Sequence, residues 1–516
     1  MKRILIFSVL SLWMASCDNT TSLIEKEVEP AVVPVPKEIT TGPKTLILDA
    51  NSKIYAAESE LGPLTQLFAD ELSSGIGIAL ELSQNQDKYA DIIFSLDTDL
   101  ATDAYKIEVT DVVHVSGGSY QAVAMARSTL LQLVFEHNGA LAIPQVSLAD
   151  VPDTKYRGLM IDLARQWHSV ETIKSLIDLA SYYKSNYIHL HFTDYQSYTL
   201  PSKKYPKLST EGRQYSFSDL ESMEAYAQLR GITLIPEIDI PGHASSIVKA
   251  YPELFGLKDI DENPWTINMG KEEVYEALET IFEEIIPVFK STPYIHIGGD
   301  EAIFHKVADD PDVKAYMKAH ELGDDVHELY RHFLVRMNDI IKKQGKQMAV
   351  WEGFRKEGIV PIPKDMIVYE FETNRYLPGD LVADGYTVVN TSWKPLYVVN
   401  RKKFAPETIY NWNISRWENW FPRAPSFNPI QLESSPLIIG AQMCAWEQGQ
   451  TVEFRSLRRR LPVMNERIWN TAKKESFEGF MNRLEMTDQR LSQLTGIAEQ
   501  DSALHGYDYV DDRPKK

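Results

Sequence analysis

The sequence predicts an α/β protein in which a (β/α)8 barrel follows a small α+β domain. Three observations carry this. From Arg157 onward, short apolar runs alternate with segments whose apolar residues recur at helical spacing, the pattern of parallel strands joined by helical crossovers. Eight such runs occur, at 158–163, 187–192, 233–238, 294–297, 348–351, 366–371, 387–391 and 437–441, the number that closes a barrel. Before Arg157 the strands are unevenly spaced around two helical stretches, so that region reads as a separate module.

The chain opens Met1-Lys2-Arg3, runs apolar from Ile4 to Met14 and reaches Ala15-Ser16-Cys17 before turning polar. A basic start, a short apolar stretch and small residues ahead of a cysteine make residues 1–16 a bacterial lipoprotein signal, with Cys17 as the lipidated residue. The apolar stretch has about 11 residues, too few to span a bilayer, which needs roughly 20. The protein is therefore expected as an outer-membrane lipoprotein, periplasmic or surface-exposed. Residues 17–32 read as a tether, and Pro30, Pro34, Pro36 and Pro43 mark the approach to the first folded domain, 33–152. Strands are expected there at 45–49, 90–96, 105–109 and 112–115, and helices at 61–72 and 120–135. No catalytic cluster falls in this module, and a packing role suits it.

The barrel is placed over 153–496. Ile173, Leu176, Ile177, Ala180 and Tyr183 stripe its first crossover helix, and Val274, Leu278, Ile281 and Ile285 stripe the helix before the fourth strand. From the fifth strand to the seventh, strand starts fall only about 20 residues apart, so irregular helices are expected. Residues 497–516 form a polar tail.

The 516 residues carry 53 Lys+Arg against 73 Asp+Glu, a formal charge of −20. Such a surface repels nucleic acid, which is excluded as a partner. Two cysteines, Cys17 and Cys444, are too few and too far apart for a disulfide framework or a thiolate zinc site, leaving Cys444 as a lone buried thiol. The oligomeric state stays open.

A barrel of this kind builds its site at the C-terminal ends of its strands. Strand one ends in Asp162 and Arg165, strand two supplies His189, His191 and Asp194, strand three Glu237, Asp239 and His243, and strand four runs His296-Ile297-Gly298-Gly299-Asp300-Glu301. Later strands deliver Trp351, Glu352, Phe371, Tyr397 and Trp446. Carboxylates and histidines facing aromatics suit a sugar, whose ring faces stack while its hydroxyls take charged hydrogen bonds. Adjacent strand residues point to opposite faces, so Asp300 and Glu301 can converge on one ligand only where the strand has ended, a freedom Gly298-Gly299 supplies. Of two neighbouring carboxylates, one can stay protonated near neutrality and protonate a leaving-group oxygen. Taken alone, an Asp-Glu pair reads as a capping Asp and a solvated Glu at a helix start; the wider pattern overturns that.

The segments Arg157 through Arg165, His189-Leu190-His191-Phe192-Thr193-Asp194, Pro236 through His243 and His296 through Glu301 resemble, in order and spacing, glycoside hydrolase family 20, the β-N-acetylhexosaminidases. The likeness covers about residues 33 to 495. It implies an exo-acting, retaining enzyme that removes terminal N-acetylglucosamine or N-acetylgalactosamine, the substrate's acetamide oxygen attacking its own anomeric carbon to give an oxazolinium. It implies no cofactor and no metal. Glu301 matches the general acid/base, Asp300 the residue that orients the acetamide, and Asp194 with His243 the relay behind the acid. Arg165 matches the hydroxyl-binding arginine; Trp351, Tyr397 and Trp446 match the walls of the acetamide pocket, Tyr397 also as a donor to the acetamide oxygen, and Phe371 falls at a further position of that pocket.

Some positions depart from the family pattern. Tyr195 replaces the second acid after the His-x-His segment, Tyr198 a Trp, and Phe371 a pocket Trp. The acid two residues after Tyr397 is Val399, followed by Asn400-Arg401, and the carboxylate two residues after Trp446 is Gln448. Losing two carboxylates and gaining Arg401 there would admit an anion, so a 6-sulfated N-acetylglucosamine is an expected substrate, with Asn400, Arg401 and Gln448 as binding residues. Arg401 also fits a solvated basic run with Lys402 and Lys403. Two other readings stand beside the hydrolase: a metal-dependent barrel enzyme using His189 and His191, and a non-catalytic glycan-binding lipoprotein.

Overall fold

The computed structural model of the chain describes residues 22–83, 90–259, 261, 263–399, 402–419, 427–472 and 475–497. The predicted signal, Cys17, Asn400, Arg401 and the tail beyond Ile497 lie outside the described residues.

All eight predicted barrel strands form, as Tyr156–Asp162, Tyr187–His191, Thr233–Glu237, Tyr294–His296, Gln347–Trp351, Ile367–Glu370, Thr387–Asn390 and Ile438–Ala445. Each pairs in parallel with its neighbour, and the first pairs with the last from Tyr156 opposite Gly440 to Ile161 opposite Ala445, which closes the ring. They form because they are buried on both faces: every residue of Tyr156–Asp162 is buried. The crossovers follow the predicted stripes. Val170–Tyr182 buries Ile173, Leu176, Ile177 and Ala180, and Glu272–Ile285 buries Val274, Leu278, Ile281 and Ile285. After the fifth strand the helices shrink as the spacing demands: none separates strands five and six, and only Pro378–Ala383 separates six and seven.

The N-terminal module is a nine-stranded sheet carrying the helices Gly62–Ile76 and Tyr120–Leu133. The second helix starts where Ser119 caps it, its hydroxyl accepting from the Ala122 amide. Five strands escape the sequence expectations, among them the short Glu81–Leu82 and Phe135–His137 and three that shape the domain. Lys53–Ala56 is one, and Ala140–Asp150, which lies between Glu38–Leu48 and Tyr105–Val109, is another. The third, Ser22–Glu25, falls inside the predicted tether; it pairs antiparallel with Lys44 through Ile47, so the folded domain begins earlier than residue 33. Ala31 and Val32 are buried as well.

The module docks on the barrel through Tyr120–Leu133. The Ser128 hydroxyl donates to the Ser181 carbonyl at 2.9 Å, and the Gln132 amide bridges the Val33 and Tyr182 carbonyls at 3.0 and 2.7 Å. One apolar cluster runs through both domains. Among the described residues, none of this module lines the barrel mouth cavity.

Candidate active site

Strand register puts Asp162, His191, Glu237 and His296 side by side near the C-terminal end of the barrel. Glu237 is the hub of this layer. Its carboxylate takes the Trp351 indole N–H at 2.7 Å and His191 Nδ1 at 2.6 Å, with His189 at 3.0 Å and His296 at 3.2 Å. Burial alone would raise its pKa, but the surrounding imidazoles hold it well below the usual carboxylate range. His189 and His191 therefore fill the barrel interior. The donor atoms of His189, Glu237 and His296 lie within 4.8 Å of one another; Glu237 accepts from Trp351 and His191, and none of the three residues lines the cavity above.

The next layer outward is assembled by loops. At the end of strand one, Asp162 accepts the Ala164 and Arg165 amides and, from the far side of the barrel seam, the Glu447 amide at 3.1 Å. This fixes Arg165, whose guanidinium reaches Asp194 at 2.6 Å and lies 4.8 Å from the Trp446 ring centre. Asp194 also holds His191 at 3.0 Å and His243 at 3.1 Å. Burial opposes ionisation of Asp194, but these partners keep its pKa far below the usual value.

His243 then links Asp194 to the acid pair. Its Nε2 sits 3.4 Å from Glu301 and 3.7 Å from Asp300. The imidazole is buried, which disfavours charge, yet Asp239 and Asp300 beside it raise its pKa well above the ordinary histidine value. The bend that brings both acids here uses left-handed backbone at Gly298 (φ 70°), Gly299 (φ 100°) and Glu301 (φ 47°). A Cβ on Gly298 would lie 1.8 Å from the Asp239 carboxylate, so glycine is required. A non-glycine residue in that conformation is strained, and the strain lies at Glu301, beside the predicted chemistry.

The two acids differ. Asp300 is largely buried and its Oδ1 has no hydrogen-bond partner among the described residues. Burial, with Glu301 adding and His243 opposing, pushes its pKa up to about 6. The Glu301 side chain is 49% exposed, and the His243 imidazole 3.4 Å away lowers its pKa. Of the two, Asp300 is therefore the more readily protonated.

Between these acids and the aromatic residues lies a cavity of about 240 Å³. Seven predicted residues line it: Arg165, His243, Asp300, Glu301, Phe371, Tyr397 and Trp446. Phe371 and Tyr397 lie parallel, 6.3 Å apart, and Trp446 closes the angle 6.2 Å from Tyr397. Trp351 lies beneath as the floor, 5.9 Å from both Phe371 and Trp446, and Asp194 stands behind His243. Gln448 does not reach the cavity; it is buried, donating to the Trp446 carbonyl at 3.0 Å and accepting from the Ser456 hydroxyl at 3.2 Å. Instead Glu447, turned by a left-handed backbone (φ 57°), lines the cavity with Val399 and Trp393. The expected loss of both carboxylates from this end of the pocket is thus corrected to the loss of one. Trp393 was detectable in the sequence as the aromatic just past strand seven; nothing in the sequence marked Glu447 over Gln448.

A larger cavity, about 340 Å³, lies between the domains. Its charged groups pair among themselves, Arg127 with Glu71 and Arg230 with Asp178, and it contains no convergent acid pair.

Residues 155–472 match the glycosyl hydrolase family 20 catalytic domain, and residues 29–151 match domain 2 of the same family. A β-hexosaminidase of Porphyromonas gingivalis is 26% identical over 93% of this chain and 64% of its own length. One from Vibrio furnissii is 30% identical over 62% of this chain and 56% of its own. The chain thus spans less than two thirds of either relative. The crystal structure of a β-N-acetylhexosaminidase from Bacteroides fragilis superposes with a TM-score of 0.78 at 27% identity, covering 90% of this chain and 96% of that one. With the family's catalytic domain matched over most of the barrel and its second domain matched before it, the chain belongs to glycosyl hydrolase family 20.

Proposed function

We propose that the protein is a retaining exo-β-N-acetylhexosaminidase that removes a terminal N-acetylglucosamine or N-acetylgalactosamine by substrate-assisted catalysis. The observation that carries this is the convergence of Asp300 and Glu301, joined through His243, on one cavity walled by Phe371, Tyr397 and Trp446. The aromatic corner takes the acetamide methyl, and Arg165 holds ring hydroxyls.

The steps follow from the charges. The acetamide N–H donates to Asp300, whose buried Oδ1 lacks a partner among the described residues. That hydrogen bond favours the ionised form of Asp300 and transfers the pair's shared proton to Glu301. As the amide oxygen attacks the anomeric carbon, positive charge grows on its nitrogen, and the carboxylate beside it stabilises the transition state more than the ground state. Glu301 gives its proton to the leaving oxygen. Water then opens the oxazolinium as Glu301 takes a proton back, and configuration is retained. Asp194 and Arg165 hold His243 in place for both halves.

A panel of p-nitrophenyl sugars with and without the acetamido group tests the reading. Turnover only where that group is present is the expected result; hydrolysis of plain glucosides overturns it.

A second reading, a 6-sulfated terminal sugar, is favoured by Val399 at the cavity in place of the family acid and by Arg401 two residues on in sequence; Glu447 opposes it. A higher kcat/KM for the plain than for the 6-sulfated aryl glycoside eliminates it. We also propose that the protein is anchored to the outer membrane through lipid on Cys17, as the signal pattern requires. Fatty-acid labelling that survives Cys17→Ser rules this out.

A further inference from the structure

We propose that Tyr330, on a helix outside the barrel, is a positioning residue for the reaction: its hydroxyl holds the bend from Gly298 to Glu301 in the form that aims both acids at the cavity. The inference rests on the reading of Glu301 as proton donor and adds what keeps that donor in place.

The left-handed backbone at Glu301 is strained, so the bend persists only where its surroundings tie it down. The Gly298 amide donates to His296 Nδ1 at 3.0 Å, and the Gly298 carbonyl accepts the Trp351 amide at 2.9 Å. The Gly299 amide donates to Asp239 at 3.2 Å, and the Glu301 carbonyl accepts the Trp265 indole N–H at 3.1 Å. These four ties come from barrel strands and the loops above them. The fifth does not. The Gly299 carbonyl, which belongs to the peptide leading into Asp300, accepts from the Tyr330 hydroxyl, its one donor among the described residues. Tyr330 stands on the helix Val326–Lys343, which packs outside the fifth strand.

Two observations make this contact more than a buried phenol finding an acceptor. The carbonyl sits in a closed slot, since a Cβ on Gly353 would lie 2.4 Å from its oxygen. Tyr330 itself is 1% exposed, so losing its hydroxyl leaves that carbonyl buried without a donor. Burial also raises the Tyr330 pKa far above the ordinary tyrosine value, and the hydroxyl stays protonated throughout the working range. An unmet carbonyl is relieved by rotation of the peptide that carries it. That rotation releases Glu301 from φ 47° and turns its carboxyl off the leaving oxygen.

The test compares the dinitrophenyl and phenyl N-acetyl-β-glucosaminides. The first leaving group departs without an acid, and the second needs the proton. Tyr330→Phe, which keeps the ring, is expected to lower kcat/KM on the phenyl glycoside about tenfold more than on the dinitrophenyl one, and its crystals to show Glu301 out of the positive-φ region. Gly353→Ala, pressing on the same oxygen, is expected to move the ratio in the same direction. Tyr275→Phe removes another buried hydroxyl, one that donates to the Met269 carbonyl at 2.9 Å, and is expected to keep the wild-type ratio. A wild-type ratio in Tyr330→Phe or in Gly353→Ala, an equal change in Tyr275→Phe, or Tyr330→Phe crystals with Glu301 unmoved overturns the inference alone. A wild type that cleaves neither glycoside overturns the functional reading, and the crystals of Tyr330→Phe then decide whether its hydroxyl holds the bend.

Discussion

The two halves of the barrel mouth are built from opposite materials. Strands one to four end in Asp162, Arg165, His191, Asp194, His243, Asp300 and Glu301, tied in a chain of charged hydrogen bonds that begins on Glu237. Strands five to eight end in Trp351, Phe371, Tyr397 and Trp446, which meet through ring contacts, with Trp393 added between strands seven and eight. The charged half moves protons and answers developing charge; the aromatic half excludes water and sets shape. Low-dielectric walls strengthen the charges they face, so each half depends on the other. The scaffold reflects the same division, since full crossover helices support the charged half and short ones the aromatic half.

The sharpest break of this comparison is Glu301→Gln, which removes the proton donor and leaves the aromatic walls untouched. It is expected to lower kcat on alkyl glycosides about 10³-fold, with product affinity retained; binding of N-acetylglucosamine by calorimetry and single-turnover rates check both. Next is Glu237→Gln. Of the two Glu237 oxygens, one accepts from the Trp351 indole and the other from His191; the amide keeps only one acceptor and loses the charge that faces the imidazoles, and a loss of about 3 kcal/mol in denaturant stability is expected. An unchanged urea midpoint would remove Glu237 as the hub. Asp300→Asn keeps shape but loses charge, and kcat/KM is expected to fall about 10²-fold.

On the aromatic side, Tyr397→Phe leaves the stack with Phe371 intact and removes a hydroxyl. In the proposed mechanism that hydroxyl donates to the acetamide oxygen and orients it, so a fall of about tenfold in kcat/KM is expected, the size of one hydrogen bond. The smallest effect is one of pH. The reaction uses the acid pair with one proton on it, and burial raises the pKa at which Asp300 holds that proton to about 6, so kcat/KM falls by about tenfold per unit as pH rises above it. The Glu301 pKa is lowered, so a second proton enters only at more acid pH and activity is full between the two limbs; a kcat/KM with no fall on the alkaline side of the Asp300 pKa would show that the pair does not carry the reaction's proton.

The charged half could be read directly from the sequence. Its residues lie in short, ordered segments at strand ends, and Gly298-Gly299 marks the place where two adjacent acids can face one ligand. The aromatic half was readable only as residue types. Whether Glu447 or Gln448 enters the cavity depends on one left-handed φ at Glu447, and no local pattern encodes it. The barrel strands stood out because burial on both faces makes them apolar throughout. Ala140–Asp150 did not, since Pro144, Gln145 and Ser147 interrupt its alternation although the strand is central in its sheet. Ser22–Glu25 was hidden by its position among tether-like residues.

The seam of the barrel has one more consequence. Arg165 and Trp446 meet because the first strand pairs with the last, and the Glu447 amide latches onto Asp162 across that junction. A polypeptide emerging from its point of synthesis carries all of its acids well before it carries a pocket. Competence waits on the final strand, which delivers Trp446 and Glu447 to the mouth.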